Sequence, residues 1–182
     1  MNSIELLSNI KIDLSIKSRS FAKNTIINNN IAAKDFLKLI SNSQGRDEML
    51  YVSVLDYLIE EIPNYLNKDI DTFIVLQSKF INETCKRSST RIIYHMLISD
   101  EKMFSKKQKK ELIDIHFDWL IEGSQVATRV NSMSLLFLLR KEANWLLPDL
   151  VAVIEQQSFL QEPSFVSRAK KILAKIHKEA NK

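Results

Sequence analysis

The chain has 182 residues, 45% of them hydrophobic and 26% charged, with a formal net charge of +4. That balance suits one folded domain with a proper core, and the charge is too mild to argue for a nucleic-acid partner by itself. It contains only two Gly and three Pro, against about thirteen and nine at average usage, which excludes a strand-rich fold with its many tight turns.

The opening residues, MNSIELLSNIKIDL, lack a basic stretch and carry Glu5, Lys11 and Asp13 among the apolar positions. They do not read as a signal peptide. A weak alternation over Ser3–Lys17 predicts a short helix. A second helix is expected from Ser18 to Asn30, ending in the turn-favouring run Asn28-Asn29-Asn30. Apolar residues at 33, 36, 37 and 40 predict a third. "SNSQG" follows as a break.

Asp47–Ile62 reads as a long helix with two apolar stripes, stopped by Pro63. Ile70–Ile81 is the next. The polar stretch "NETCKRSS" reads as a break, with a helix starting near Ser88 and carrying Ile92 to Ile98. Cys85 is the single cysteine, so no intramolecular disulfide can form, and a reducing compartment is expected. "SDEKMFS" breaks the chain again. Ser105 with Gln108 three residues on has the form of a capping box, opening a helix to about Ile121. Gly123 supplies a left-handed stop, and Ser124 is expected to cap the next helix, which runs to about Lys141. Pro148 and Pro163 sit where the first turn of a helix tolerates proline, giving helices to about Phe159 and His177.

In the helix after Gln125, Val126, Val130, Met133 and Phe137 form one apolar stripe, and Leu135, Leu138 and Leu139 a second beside Leu136. A surface helix needs one stripe; two imply neighbours on more than one side. An offset of 38 residues then places Arg91 on Arg129, Ile92 on Val130, His95 on Met133 and Leu112 on Leu150. The same step back places Val54 under Ile92 and Ile74 under Leu112. Three helix pairs emerge, 47–62 with 70–81, 88–98 with 105–121, and 125–141 with 148–159, flanked by terminal helices that would cap a stack.

A two-helix unit of roughly 40 residues resembles the HEAT and armadillo repeats. The likeness is carried best by "GSQVATRVNSMSLLFLL", and it covers about two thirds of the chain. The usual Asp-Pro turn is Gly123-Ser124 here, and Arg129 lies three residues after Val126 rather than next to it. The resemblance implies an all-α, right-handed α-α superhelix, here of about three pairs plus caps in a single domain over 1–182. It implies a non-enzymatic scaffold or adaptor for a protein or peptide. The layout is also similar to short bacterial proteins that sometimes carry the label adenylosuccinate lyase. That lyase family has a mobile loop of the form Ser-Ser-x-Met-Pro-x-Lys-x-Asn-Pro; here Ser88-Ser89 is followed by Thr90-Arg91, with no Met-Pro.

No catalytic, metal or cofactor set is expected. His95, His116 and His177 have no Cys85 or carboxylate at ligand spacing, and with only Gly45 and Gly123 no phosphate-binding glycine loop can form. His116 falls on the apolar position 154 of the next unit and reads as a packed histidine. Of the two tryptophans, Trp119 reads as packing and Trp145, just before Pro148, as the exposed one. Lys106, Lys107, Lys109 and Lys110 crowd the first turns of a helix, where cations oppose the macrodipole. The candidate interaction surface comprises Lys106, Lys107, Lys110, Asp114, Asp118 and Trp145. A nucleic-acid partner, as for the HEAT-like DNA-repair glycosylases, is the alternative, drawing on these lysines and on the basic tail Arg168, Lys170, Lys171, Lys175, Lys178 and Lys182. No apolar run approaches the roughly 18 residues of a membrane span, and a cytoplasmic location follows.

Overall fold

In the computed structural model, which describes residues 5–6, 9–160 and 162–180, the chain is all-helical, with no strand among the described residues. Nine helices follow Lys11–Ser15 in these residues: α1 (Ile16–Asn28), α2 (Ala33–Ser41), α3 (Gly45–Glu61), α4 (Ile70–Gln77), α5 (Glu83–Ser99), α6 (Lys106–Ile121), α7 (Val126–Leu138), α8 (Leu146–Ser158) and α9 (Pro163–Ala180). One 3-10 turn, Glu101–Met103, lies between α5 and α6.

The punctuation is side-chain chemistry. Ser15 caps α1 by accepting from the Ser18 amide. Asn30 takes a left-handed φ of 49° just past the end of α1, a conformation that asparagine tolerates better than most residues. α3 stops at Glu61, two residues before Pro63. At α6 the capping box is complete: the Gln108 amide donates to Ser105 Oγ at 3.2 Å and the Ser105 amide to Gln108 Oε1 at 2.8 Å. Gly123, at φ 82°, ends that passage in the left-handed region.

Three expectations at this level are corrected. The short helix over Ser3–Lys17 falls partly on residues outside those described, and Lys11–Ser15 is not helical. The stretch "NETCKRSS" is not a break: α5 starts at Glu83, with Asn82 accepting from the Thr84 amide as its cap. Ser88 and Ser89, at the end of that stretch, and Thr90 after them are buried. Thr90 and Ser89 hydroxyls donate to the Lys86 carbonyl at 2.7 and 3.0 Å, and Gln77 Nε2 donates to Ser89 Oγ at 3.2 Å. Small hydroxyl residues thus serve as core without any apolar signature. At α7 the cap position is Gln125 rather than Ser124.

Two compact units divide the chain, Met1–Met103 and Phe104–Lys182. In the first, α3 is central. It packs against α1, α2 and α5, and α2 and α5 also contact α4. Every residue of α3 from Leu50 to Asp56 is buried, which accounts for its two apolar stripes. In the second unit α7 has that role, packing against α6, α8 and α9. Met133, Leu135 and Leu136 are fully buried and Phe137 nearly so. The double stripe of the sequence therefore corresponds to three helical neighbours. No helix among the described residues is long and apolar enough to cross a membrane.

Candidate functional site

The start of α6 and the turn after α7 meet in the second unit. Lys109 Nζ pairs with Glu142 Oε1 at 2.7 Å, and this tie draws the segment Lys141–Trp145 against the first two turns of α6. A cavity of about 410 Å³ lies between them, lined by Lys106, Lys110, Ile113, Lys141, Glu142, Ala143 and Trp145. Ile113 gives it an apolar floor. The Trp145 indole stands edge-on to Phe117, with ring centroids 5.4 Å apart and planes at 76°, and remains 45% exposed. Among the described residues none of Lys106, Lys110 and Lys141 takes part in an ion pair.

Three of the six expected surface residues, Lys106, Lys110 and Trp145, are brought together here. Lys107 turns aside toward Glu111, 3.7 Å away and exposed. Asp114 and Asp118 are exposed on α6 but do not line this cavity. Lys141 and Glu142 belong to the site and escaped the sequence reading. They lie more than thirty residues from Lys109 in the chain, and no local pattern marks that pairing.

His116 is buried completely. Its Nδ1 lies 3.3 Å from Ser132 Oγ, and its ring meets Trp119 edge-on at 5.0 Å. Burial disfavours the imidazolium and pushes its pKa down to about 3. It is a neutral packing group between α6 and α7. Arg129, the residue that anchored the repeat, is also spent on structure. Its Nε donates to the Ser124 carbonyl at 2.9 Å, Nη1 donates to Gln157 Oε1 at 3.0 Å, and Nη2 pairs with Glu162. Gln157 Nε2 in turn donates to the Leu120 carbonyl at the end of α6. One guanidinium therefore ties α7 to α8 and to the approach to α9.

The first unit holds a second polar assembly. Asp56 is buried, with Oδ2 3.6 Å from Arg91 Nη1; Oδ1 has no hydrogen-bond partner. Arg91 also reaches Glu60 at 3.7 Å, and Arg19 lies over the Tyr57 ring at 4.5 Å. Burial raises the Asp56 pKa to about 6 against the opposing pull of Arg91. His95 is half-buried rather than in the core, and its pKa is lowered mainly by burial. Cys85 is buried and donates to Glu48 Oε2 at 3.7 Å. Burial and the Glu48 charge push its thiol up to about 12. A protonated, enclosed thiol is a poor nucleophile. Among the described residues no group of three His, Cys, Asp or Glu is placed to hold a metal ion.

These features define an all-α protein of packed helices, with a lysine-rimmed cavity where the start of α6 meets the turn after α7. Compared with family models, curated proteins and solved structures, the chain finds no match.

Proposed function

We propose that the chain is a non-enzymatic helical-repeat scaffold of the HEAT/armadillo type, a right-handed α-α superhelix that docks a protein or peptide partner. One observation carries this reading. Several polar ties join residues about one repeat apart: Lys23 with Glu61 at 38, Cys85 with Glu48 at 37, Gln157 with the Leu120 carbonyl at 37, and Arg140 with Glu179 at 39. In a stack of repeats each position lies beside its counterpart in the next unit, so contacts recur at the repeat length. Within the first unit α1 packs on α3 and α3 on α5, while α2 packs on α4; within the second α7 packs on α9. Contacts between alternate helices are what two stacked layers produce.

The docking role follows from what such arrays leave exposed, and this step is an analogy of architecture. The face of α6 bearing Lys107, Lys110, Asp114 and Asp118, with Trp145 beside it, mixes both signs of charge around an aromatic, as protein-binding surfaces do. A nucleic-acid groove favours one continuous sign instead, and Glu111, Asp114, Asp118 and Glu142 interrupt the lysines.

The test is affinity capture from native lysate with the full chain, read by mass spectrometry and followed by reconstitution with the purified partner. A stoichiometric complex between purified components is expected. Reconstitution that fails for every captured protein, together with tight nucleic-acid binding at near-physiological salt, would overturn the proposal.

A further inference from the structure

The helix start of α6 carries a cost that ion pairs among the described residues offset only in part. Its first turn holds Lys106, Lys107 and Lys109 and no acidic residue. By contrast α2, α3, α4, α5 and α8 each place an acid in the first turn: Asp35, Asp47 with Glu48, Asp71, Glu83 and Asp149. Cations at that end oppose the helix dipole. Two of these lysines are answered internally, Lys107 by Glu111 and Lys109 by Glu142. Among the described residues Lys106 is not, and neither are Lys110 and Lys141, the three that line the cavity.

We infer that this cavity is a docking site for an acidic peptide segment bearing one large apolar side chain, a proposal that rests on the scaffold reading and names its partner chemistry. Three ammonium groups supply the charge complement. Ile113 and the half-exposed Trp145 supply an apolar wall, and a volume of about 410 Å³ is within the range that accepts a compact ligand group. An exposed indole beside a pocket has the character of an interface hot spot. A nucleic-acid strand is disfavoured because Glu142 sits within the lining itself and Glu111 and Asp114 follow along α6. Together they would repel a phosphodiester backbone leaving the pocket.

Of the two tryptophans in the chain, Trp119 is buried, so Trp145 is the indole that an occupant would shield. A random-peptide display library selected against the full chain provides the probes. Enriched sequences should carry several acids around a large apolar residue. Their synthetic counterparts should protect Trp145 from acrylamide quenching and bind more weakly as salt is raised. Trp145→Ala should weaken them roughly thirtyfold, the size of a hot-spot loss. Lys106→Glu/Lys110→Gln should weaken them at least as much while leaving the melting temperature equal or higher, so lost binding is not lost folding.

An absence of enriched sequences, enrichment without acids, or affinity unchanged in both variants would overturn the assignment. So would a labelled single strand that binds at near-physiological salt and displaces the peptide, which would transfer the site to nucleic acid. The two levels of the proposal separate in the capture experiment. A partner retained by the wild type and by Lys106→Glu/Lys110→Gln alike leaves the scaffold standing and removes this pocket from its docking surface.

Discussion

Asp56 and His116 sit in different units and impose opposite pH dependences. For Asp56 burial raises the folded pKa to about 6 from 3.8. Between those values the folded state binds more protons than the unfolded, so stability falls as pH rises through that window, by about 3 kcal/mol in all. For His116 burial lowers the folded pKa to about 3 from 6.5. There the unfolded state binds more protons, so its contribution is fully present above 6.5 and is lost as pH falls toward 3, on the order of 5 kcal/mol. Urea unfolding from pH 4 to 7 should therefore rise more steeply in Asp56→Asn than in the wild type, and less steeply in His116→Gln. Parallel profiles for either variant and the wild type would contradict the burial assigned to that residue. His116→Gln should also leave peptide binding intact, because the ring is closed off from the cavity surface.

At the scale of the helix, α7 and α6 offer separate tests of packing and of polarity. Phe137 is 7% exposed, with Arg140 Cζ 4.2 Å from its ring centroid. Phe137→Ala should cost about 3–5 kcal/mol in urea unfolding; a loss below about 1 kcal/mol would mean that α7 is not the central helix of its unit. Ser105→Ala removes half of the capping box and should cost about 1 kcal/mol. Lys106→Glu should do the reverse, raising the melting temperature at low salt by a gain of up to about 1 kcal/mol that fades as salt is added. Lys107→Glu should gain less, because it also breaks the ion pair with Glu111 and leaves two like charges four residues apart.

The helices were legible where their cause is local. The Ser105–Gln108 box, the stops at Asn28 and Gly123 and the double stripe of α7 could all be read from neighbouring residues. The start of α5 could not, because Cys85, Ser88, Ser89 and Thr90 are small and buried, with the Ser89 and Thr90 hydroxyls bonding to their own helix and Ser89 also accepting from Gln77. A hydrophobicity pattern treats such residues as loop. The same limit applies to the site. Lys106, Lys110 and Trp145 stood out by charge and by their flanking residues, while Lys141 and Glu142 join them only through the turn after α7. Ser124 looked like a cap, but its carbonyl is committed to Arg129 and the capping position passes to Gln125.

For the molecule as a whole, a net charge of +4 with acids interspersed among the lysines predicts feeble, salt-sensitive association with nucleic acid. Labelled duplex and single strands titrated at two salt concentrations should bind weakly at the lower one and lose that binding at the higher, with little difference between the wild type and Lys106→Glu/Lys110→Gln. Each phosphate contact that is truly made steepens the salt dependence, so a steep slope that the variant flattens would mark a dedicated groove.

The enclosed Cys85 thiol also gives the first unit a built-in clock. It hangs from α5, donates to Glu48 on α3, and has no exposure of its own. An alkylating reagent can meet it only when the seam between those two helices parts. The rate of modification, measured against denaturant, would then count openings of that seam one molecule at a time. Glu48→Gln, which removes the carboxylate charge facing the sulfur, would show how far that rate reflects thiol acidity rather than the frequency of opening.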